Sequence, residues 1–304
     1  MWKIKKIPVF QNFRIQYLIF AIGGCILSLA HPPVAIPYIM VFVLAGIGWY
    51  WYRIRPSSRE SFFCGWSFGF GYFLFSLLWI IEPFLVRPNE TGILAPFALI
   101  FLTAGMSIFW GLAFWSTTQK NNYRNKFVSL FKLAACLSLA ELFRSYLFTG
   151  FPWVIFGVAF VETPLGQSLS LFGPYWLTAM IILFSFLSIN GSKGLLIAIT
   201  GFFLFFLYGE SRITDNEQFE PSVKVRIVQP NIPQKLKWNQ ELGDSHLNKL
   251  FKLSQNNLEE IDLIIWPETA VQFILEQDKE FAKKVSERLG KVIILGARKY
   301  LRDQ

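Results

Sequence analysis

Apolar residues run in long stretches through the first two-thirds of the chain, then give way to short alternating and periodic patterns. Seven stretches, at about 15–30, 34–52, 62–81, 95–117, 128–148, 167–189 and 194–209, approach the ~20 apolar residues that span a bilayer as a helix. The first and last are short. Pro32-Pro33, Pro56, Pro83, Pro88 and Pro164 mark breaks between them.

Beyond Glu210 the pattern changes. Val223 to Val228 alternates and predicts a strand. Leu247, Leu250, Phe251 and Leu258 recur at helical spacing and predict a helix from about Glu241 to Leu258. The run Leu263-Ile264-Ile265-Trp266 suits a buried strand. A second helix is predicted over about 278–289 and a third strand over 291–295, closed by Gly296. Strand, helix, strand, helix, strand implies parallel pairing with right-handed crossovers. The expected architecture is a polytopic α-helical membrane bundle of about seven spans (1–209), followed by an α/β domain (210–304).

Composition sharpens that division. Charged residues make up 16% of the chain, against about 25% in a soluble globule. Residues 1–209 hold 14 Lys/Arg and 5 Asp/Glu, and residues 210–304 hold 15 of each, so the net charge of +9 lies in the apolar part. That excess therefore reads as a topology signal and gives no reason to expect a nucleic-acid partner. Lys3, Lys5, Lys6 and Arg14 precede the first stretch, and Arg53, Arg55 and Arg59 follow the second. Lys120, Arg124 and Lys126 follow the fourth, and Lys193 the sixth, while the alternate loops are poor in cations. Basic loops face the cytoplasm. The N-terminus is thus expected inside and the domain after Glu210 outside. The first stretch also reads as a signal peptide, with Gly23-Gly24-Cys25 as a cleavage box, but the chain stays apolar beyond it.

Cys25, Cys64 and Cys136 all fall in apolar stretches, so residues 210–304 contain neither a disulfide nor a thiol nucleophile. His31 and His246 lack metal-ligand spacing, and no cofactor is implied. Glu141 and Arg144 lie three apart on one helical face and can pair. Two readings stand: a structural ion pair, or a polar contact to lipid headgroups or to the outer domain. The uncharged aromatic loop Thr149–Gly157, with Trp153, reads either as an interfacial belt or as a lipid-entry surface. Trp238 reads as a packed aromatic or as a lid or acyl-chain contact. Glu268 follows the carboxyl end of the second predicted strand, where open α/β sheets bind ligands. It reads as a solvated carboxylate or, partly screened by Trp266 and Pro267, as a general base.

In combination these motifs resemble bacterial apolipoprotein N-acyltransferases. The resemblance rests on Val228-Gln229-Pro230-Asn231-Ile232-Pro233-Gln234, Leu236-Lys237-Trp238, Ile264-Ile265-Trp266-Pro267-Glu268-Thr269-Ala270 and Phe148-Thr149-Gly150-Phe151-Pro152-Trp153. It covers all 304 residues but only about the first three-fifths of a typical member. The resemblance implies a multi-pass protein of the bacterial inner membrane with a periplasmic nitrilase-like αββα domain, here incomplete. It implies acyl transfer from a phospholipid donor to the α-amine of a diacylglyceryl apolipoprotein, through a thioester on a Glu-Lys-Cys triad. Glu268 matches the Glu. The Lys, the Cys and a last span would lie beyond Gln304, so a truncated or split chain is expected, completed either by its own downstream frame or by a second chain. Gln229, Asn231, Trp238, Trp153, Glu141 and Arg144 are the substrate-binding candidates. The alternative is an inactive relic, or a membrane protein that binds lipid or lipoprotein without acylating it.

Overall fold

A computed structural model describes residues 13–118, 123, 125–214, 223–233, 236–237, 239–267 and 279–296. The chain divides into two compact units, 1–216 and 217–304.

The first unit is helical. It contains α1 (Phe13–Ser28), α2 (Ile39–Ile54), α3 (Ser58–Ser76), a 3-10 turn (Leu78–Leu85), the short α4 (Pro88–Thr91), α5 (Ala95–Thr117), α6 (Lys126–Tyr146), α7 (Leu169–Ser188) and α8 (Gly191–Thr214). Local chemistry sets several ends. Ser57 and Glu60 form a reciprocal capping box on α3, and the Asn125 side chain accepts from Val128 N–H at the start of α6. Gly173, at φ +78°, and Pro174 kink α7.

Each of the seven apolar stretches holds a helix, but not each helix is a span by length and composition. Among the described residues, three are long and apolar enough: Pro88–Thr117, Pro164–Ser188 and Gly191–Thr214. A fourth appears if Ser58–Ser76 and Leu78–Leu85, bent by 47°, form one broken span. Helices α1 and α2 have 16 residues each. At ~1.5 Å per residue they fall short of the ~30 Å hydrocarbon layer. Helix α6 carries Lys126, Lys132, Glu141 and Arg144.

The bundle core is rich in aromatic residues, among them Phe20, Trp51, Phe68, Tyr72, Trp110 and Phe114. Helices α1 and α3 cross at glycines. A Cβ on Gly24 would collide with the Phe68 carbonyl, and one on Gly71 with the Ala21 carbonyl. The periphery exposes large apolar side chains such as Phe42, Phe101 and Leu196. Water does not favour such a surface and lipid tolerates it.

The second unit contains β1 (Val225–Ile227), α9 (Gly243–Ser254), β2 (Leu263–Ile265), α10 (Lys279–Leu289) and β3 (Val292–Ile294). The strands form a parallel sheet in the order β1-β2-β3, with Ile227 opposite Ile265 and Ile265 opposite Ile294. One face is covered, with Ile264 buried among Leu250, Phe251, Val285 and Leu289. The other face carries Val225, Ile227, Val292 and Ile294, all exposed, with Leu263 and Ile265 half-buried between them. The helix expected to reach Leu258 stops at Ser254. Asn257 adopts φ +42°, and a 3-10 turn, Leu258–Glu260, follows. The polar run Gln255-Asn256-Asn257 favours turns over helix, which explains the early end.

Candidate functional site

Two groups of candidate residues exist, one in each unit. In the second unit, the carboxyl ends of β1 and β2 lie side by side, joined by Val228 N–H donating to Ile265 O at 2.9 Å. Gln229 and Asn231 leave this edge; Gln229 is exposed and Asn231 has φ +49°. Trp266 caps the central strand from inside. Its backbone N–H donates to Ile294 O at 2.9 Å, and its buried indole N–H donates to Ser254 Oγ at 2.9 Å. The ring packs edge-on against Phe251 at 5.5 Å. Arg226 donates to Ser254 O at 2.7 Å, so β1, α9 and the residue after β2 share one anchor. Trp266 is fixed two positions before Glu268 in the sequence. Glu268 itself, Gln234 and Trp238 lie outside the described residues.

In the first unit, a polar network fills the apolar end of the bundle where α3, α5 and α6 meet the loop after α6. Arg144 and Glu141, 1% and 0% exposed, form a bidentate pair: Nη2 to Oε2 at 2.7 Å and Nε to Oε1 at 3.1 Å. Glu141 Oε1 also accepts the Trp110 indole N–H at 2.8 Å. Arg144 Nη1 donates to Phe151 O at 2.8 Å and Trp153 O at 2.9 Å. The Tyr72 hydroxyl donates to Val154 O at 2.6 Å. With that proton committed, His31 Nε2, 2.7 Å from the Tyr72 oxygen, carries a hydrogen and donates it. Tyr72 stacks on Trp110 at 5.1 Å, and the Arg144 guanidinium lies 5.0 Å from the Phe73 ring centre.

Of the two readings of Glu141 and Arg144, the ion pair is present. The Arg144 side chain is buried, with Nε, Nη1 and Nη2 all hydrogen-bonded within the protein. Trp153 is exposed and lies 4.9 Å from Trp79. Phe148, at φ +54°, is 90% exposed. His31, Tyr72, Trp110 and Trp79 were not expected at this site. Their contacts join residues far apart in sequence, and no local spacing announces them. Burial, with the nearby Arg144 charge, pushes the His31 imidazole down to about 4. Among the described residues, no group of three His, Cys, Asp or Glu side chains is arranged to hold a metal ion.

The sequence model of the apolipoprotein N-acyltransferase N-terminal domain matches residues 23–187, from α1 through α7. The chain belongs to the apolipoprotein N-acyltransferase family. It is similar to the apolipoprotein N-acyltransferase of Allorhizobium ampelinum, at 29% identity over 96% of this chain and 58% of that protein. It is also similar to those of Rhodopseudomonas palustris, at 31% over 80% of this chain and 49% of that one, and Brucella suis, at 31% over 81% and 48%. The chain thus spans about half the length of the curated relatives it matches. The matched domain contains the Glu141–Arg144 network of this N-acyltransferase family member and ends before its parallel sheet.

Proposed function

We propose that these 304 residues supply the membrane bundle and the general-base half of an enzyme that acylates lipoproteins. In this reading residues 1–209 form the transmembrane domain. Residues 210–304 form part of an αββα nitrilase-like domain on the periplasmic side of a bacterial inner membrane. The observation that carries it is the carboxyl edge of the sheet: Trp266 is locked beneath the central strand, and the Trp-Pro-Glu motif of residues 266–268 begins at that edge in a chain of this family.

Two features support the reading. The open aliphatic face of Val225, Ile227, Val292 and Ile294 suits a second sheet, as in an αββα sandwich. Several basic loops also gather at one end of the bundle. Tyr123 Oη donates to Pro56 O at 2.7 Å, and Lys126 donates to Ile189 O. The loops bearing Arg53, Arg55 and Arg59, Lys126 and Lys193 therefore share an end, as the positive-inside rule requires. The Tyr72–Arg144 network and Trp153 stand at the opposite ends of α3 and α6, on the outer side in this topology.

The chemistry is acyl transfer. A thiol deprotonated with the help of Glu268 attacks the ester carbonyl of a phospholipid, a lysine stabilises the oxyanion, and its collapse breaks the ester C–O bond and expels a lysophospholipid alcohol that takes the proton from Glu268. The lipoprotein amine then attacks the thioester, forming an amide, losing its proton and releasing the thiol. Residues 210–304 contain no cysteine, so in this reading the thiol comes from sequence outside these 304 residues, in the same frame or on a second chain, and the family's lysine is taken to lie there too. That same absence favours a second reading, a membrane protein that binds lipid or lipoprotein without acylating it. Mass spectrometry of lipoprotein N-termini, in cells depleted of their own N-acyltransferase, separates the two. The chain continued through its downstream reading frame should restore the third acyl group, and Glu268→Gln should not. Lipoproteins that are bound but remain diacylated would establish the second reading.

A further inference from the structure

The loop after α6 is irregular backbone in an apolar part of the chain. At membrane depth such backbone persists only where protein groups satisfy it. Here the satisfaction is concentrated on four consecutive residues. Arg144 holds Phe151 O and Trp153 O, Tyr72 holds Val154 O, and Phe151 N–H returns to Arg144 O at 3.2 Å. Just beyond, Gly157 N–H donates to Thr178 Oγ1 at 2.9 Å. The guanidinium is itself fixed by the bidentate Glu141 carboxylate, which Trp110 fixes in turn.

An ion pair is a poor way to hold helices together, because apolar side chains of the same volume do as well or better. What a guanidinium adds is geometry: a rigid fork that holds a carboxylate on one side and two carbonyls on the other. The residue presented by that fork is Trp153. Its backbone carbonyl faces the clamp, while its ring lies outside against Trp79. Paired indoles at a bilayer interface offer an apolar wall to a chain and an N–H to an ester.

We infer that Glu141, Arg144 and Tyr72 are positioning residues, a buried clamp that holds residues 151–154 so that the Trp79–Trp153 pair forms a fixed ledge for a phospholipid acyl chain. The identity of that lipid as the acyl donor rests on the acyl-transfer reading above; the clamp and the ledge do not.

The test uses the whole chain in phosphatidylethanolamine–phosphatidylglycerol vesicles containing a phospholipid with a photoreactive diazirine on its acyl chain. Mass spectrometry locates the label. The native chain should label within residues 148–156, and Trp153→Ala should remove most of that label. The double variant Glu141→Gln, Arg144→Gln removes both charges together and should lower it about tenfold, the equivalent of a lost charge-assisted hydrogen bond. Tyr72→Phe keeps the ring packing and should lower it about threefold, as for one neutral hydrogen bond. Ser61→Ala is the structural control. Ser61 accepts from Trp51 and donates to Phe114 O, both at 2.9 Å, near the other end of α3. It should reduce thermal stability and leave the label in place. Unchanged labelling in the double variant and Tyr72→Phe, or an equal fall in Ser61→Ala, overturns the clamp. A chain continued through its downstream reading frame that labels here and never transfers an acyl group sinks the acyl-transfer reading alone. A chain that transfers without this label sinks the ledge alone.

Discussion

Both units leave aliphatic and aromatic side chains uncovered, but in different places. In the helical unit they lie around the periphery, at Phe42, Phe101 and Leu196, while Glu141, Arg144, Tyr72 and His31 are turned inward and paired. In the second unit they lie on one face of a sheet, at Val225, Ile227, Val292 and Ile294, while the other face is packed under α9 and α10. The first pattern is that of a finished membrane protein, whose apolar exterior meets lipid. The second is that of an interior layer, because parallel sheets are covered on both faces. Among the described residues nothing covers it. The contrast teaches that the exposed apolar surface of one unit suits lipid, and that of the other suits a covering layer of polypeptide.

The largest effect that can test this contrast is at the buried pair. Arg144→Met leaves the Glu141 carboxylate buried without its partner. It should cost the helical unit about 3–5 kcal/mol, read as thermal unfolding in detergent. A loss below ~1 kcal/mol, the value for an exposed pair such as Arg87–Glu90, would mean the site is wet and the unit less finished than described. Next is Gly71→Leu, whose side chain must force α1 from α3. Overpacking of this kind costs about 3 kcal/mol, and wild-type stability would refute the close crossing.

A smaller, pH-dependent effect follows from His31. Its folded pKa, about 4, lies below the ordinary 6.5, so the unfolded chain binds the proton more readily. Stability is therefore full above pH 6.5 and is lost as pH falls towards 4, by on the order of 1 kcal/mol at pH 5.5. His31→Gln should flatten that slope, and an unchanged slope assigns it to another group. The smallest effect is at Ile227. On the open face, Ile227→Lys should change the stability of the second unit by less than about 0.5 kcal/mol. In the chain continued downstream, the same lysine would face a second sheet and should cost several-fold more. Equal effects in the two settings would mean that the face stays open.

The broad division was legible in the sequence because it rests on local pattern. Apolar run length marks the helical unit. Period-two alternation marks β1, helical spacing marks α9, a short apolar run marks β2, and the three-residue spacing of Glu141 and Arg144 marks their pair. Span length was less legible. Stretches that read as spans at 15–30 and 34–52 hold helices of 16 residues, because Pro32, Pro33 and Pro37 occupy the turn between them. Most of the network was not legible. Tyr72 and Val154 stand 82 positions apart, and His31 and Tyr72 stand 41 apart. Nothing local distinguishes Tyr72 from any other aromatic residue in an aromatic helix. At the sheet edge the motif around Trp266 was legible, and its indole bond to Ser254 was not, since it joins residues on different elements, twelve positions apart.

The most direct measurement is thioester trapping with a phospholipid whose acyl chain is radiolabelled. It compares membranes carrying residues 1–304 alone with membranes carrying the chain continued through its downstream reading frame. Hydroxylamine-sensitive label on the protein is the readout. The account predicts none on residues 1–304 alone and clear label on the continued chain. Glu268→Gln should slow labelling of the continued chain by about 10²–10⁴-fold. Label on residues 1–304 alone would contradict the account, because the unit bearing Glu268 contains no thiol. Undiminished labelling with Glu268→Gln would contradict its assignment as the general base.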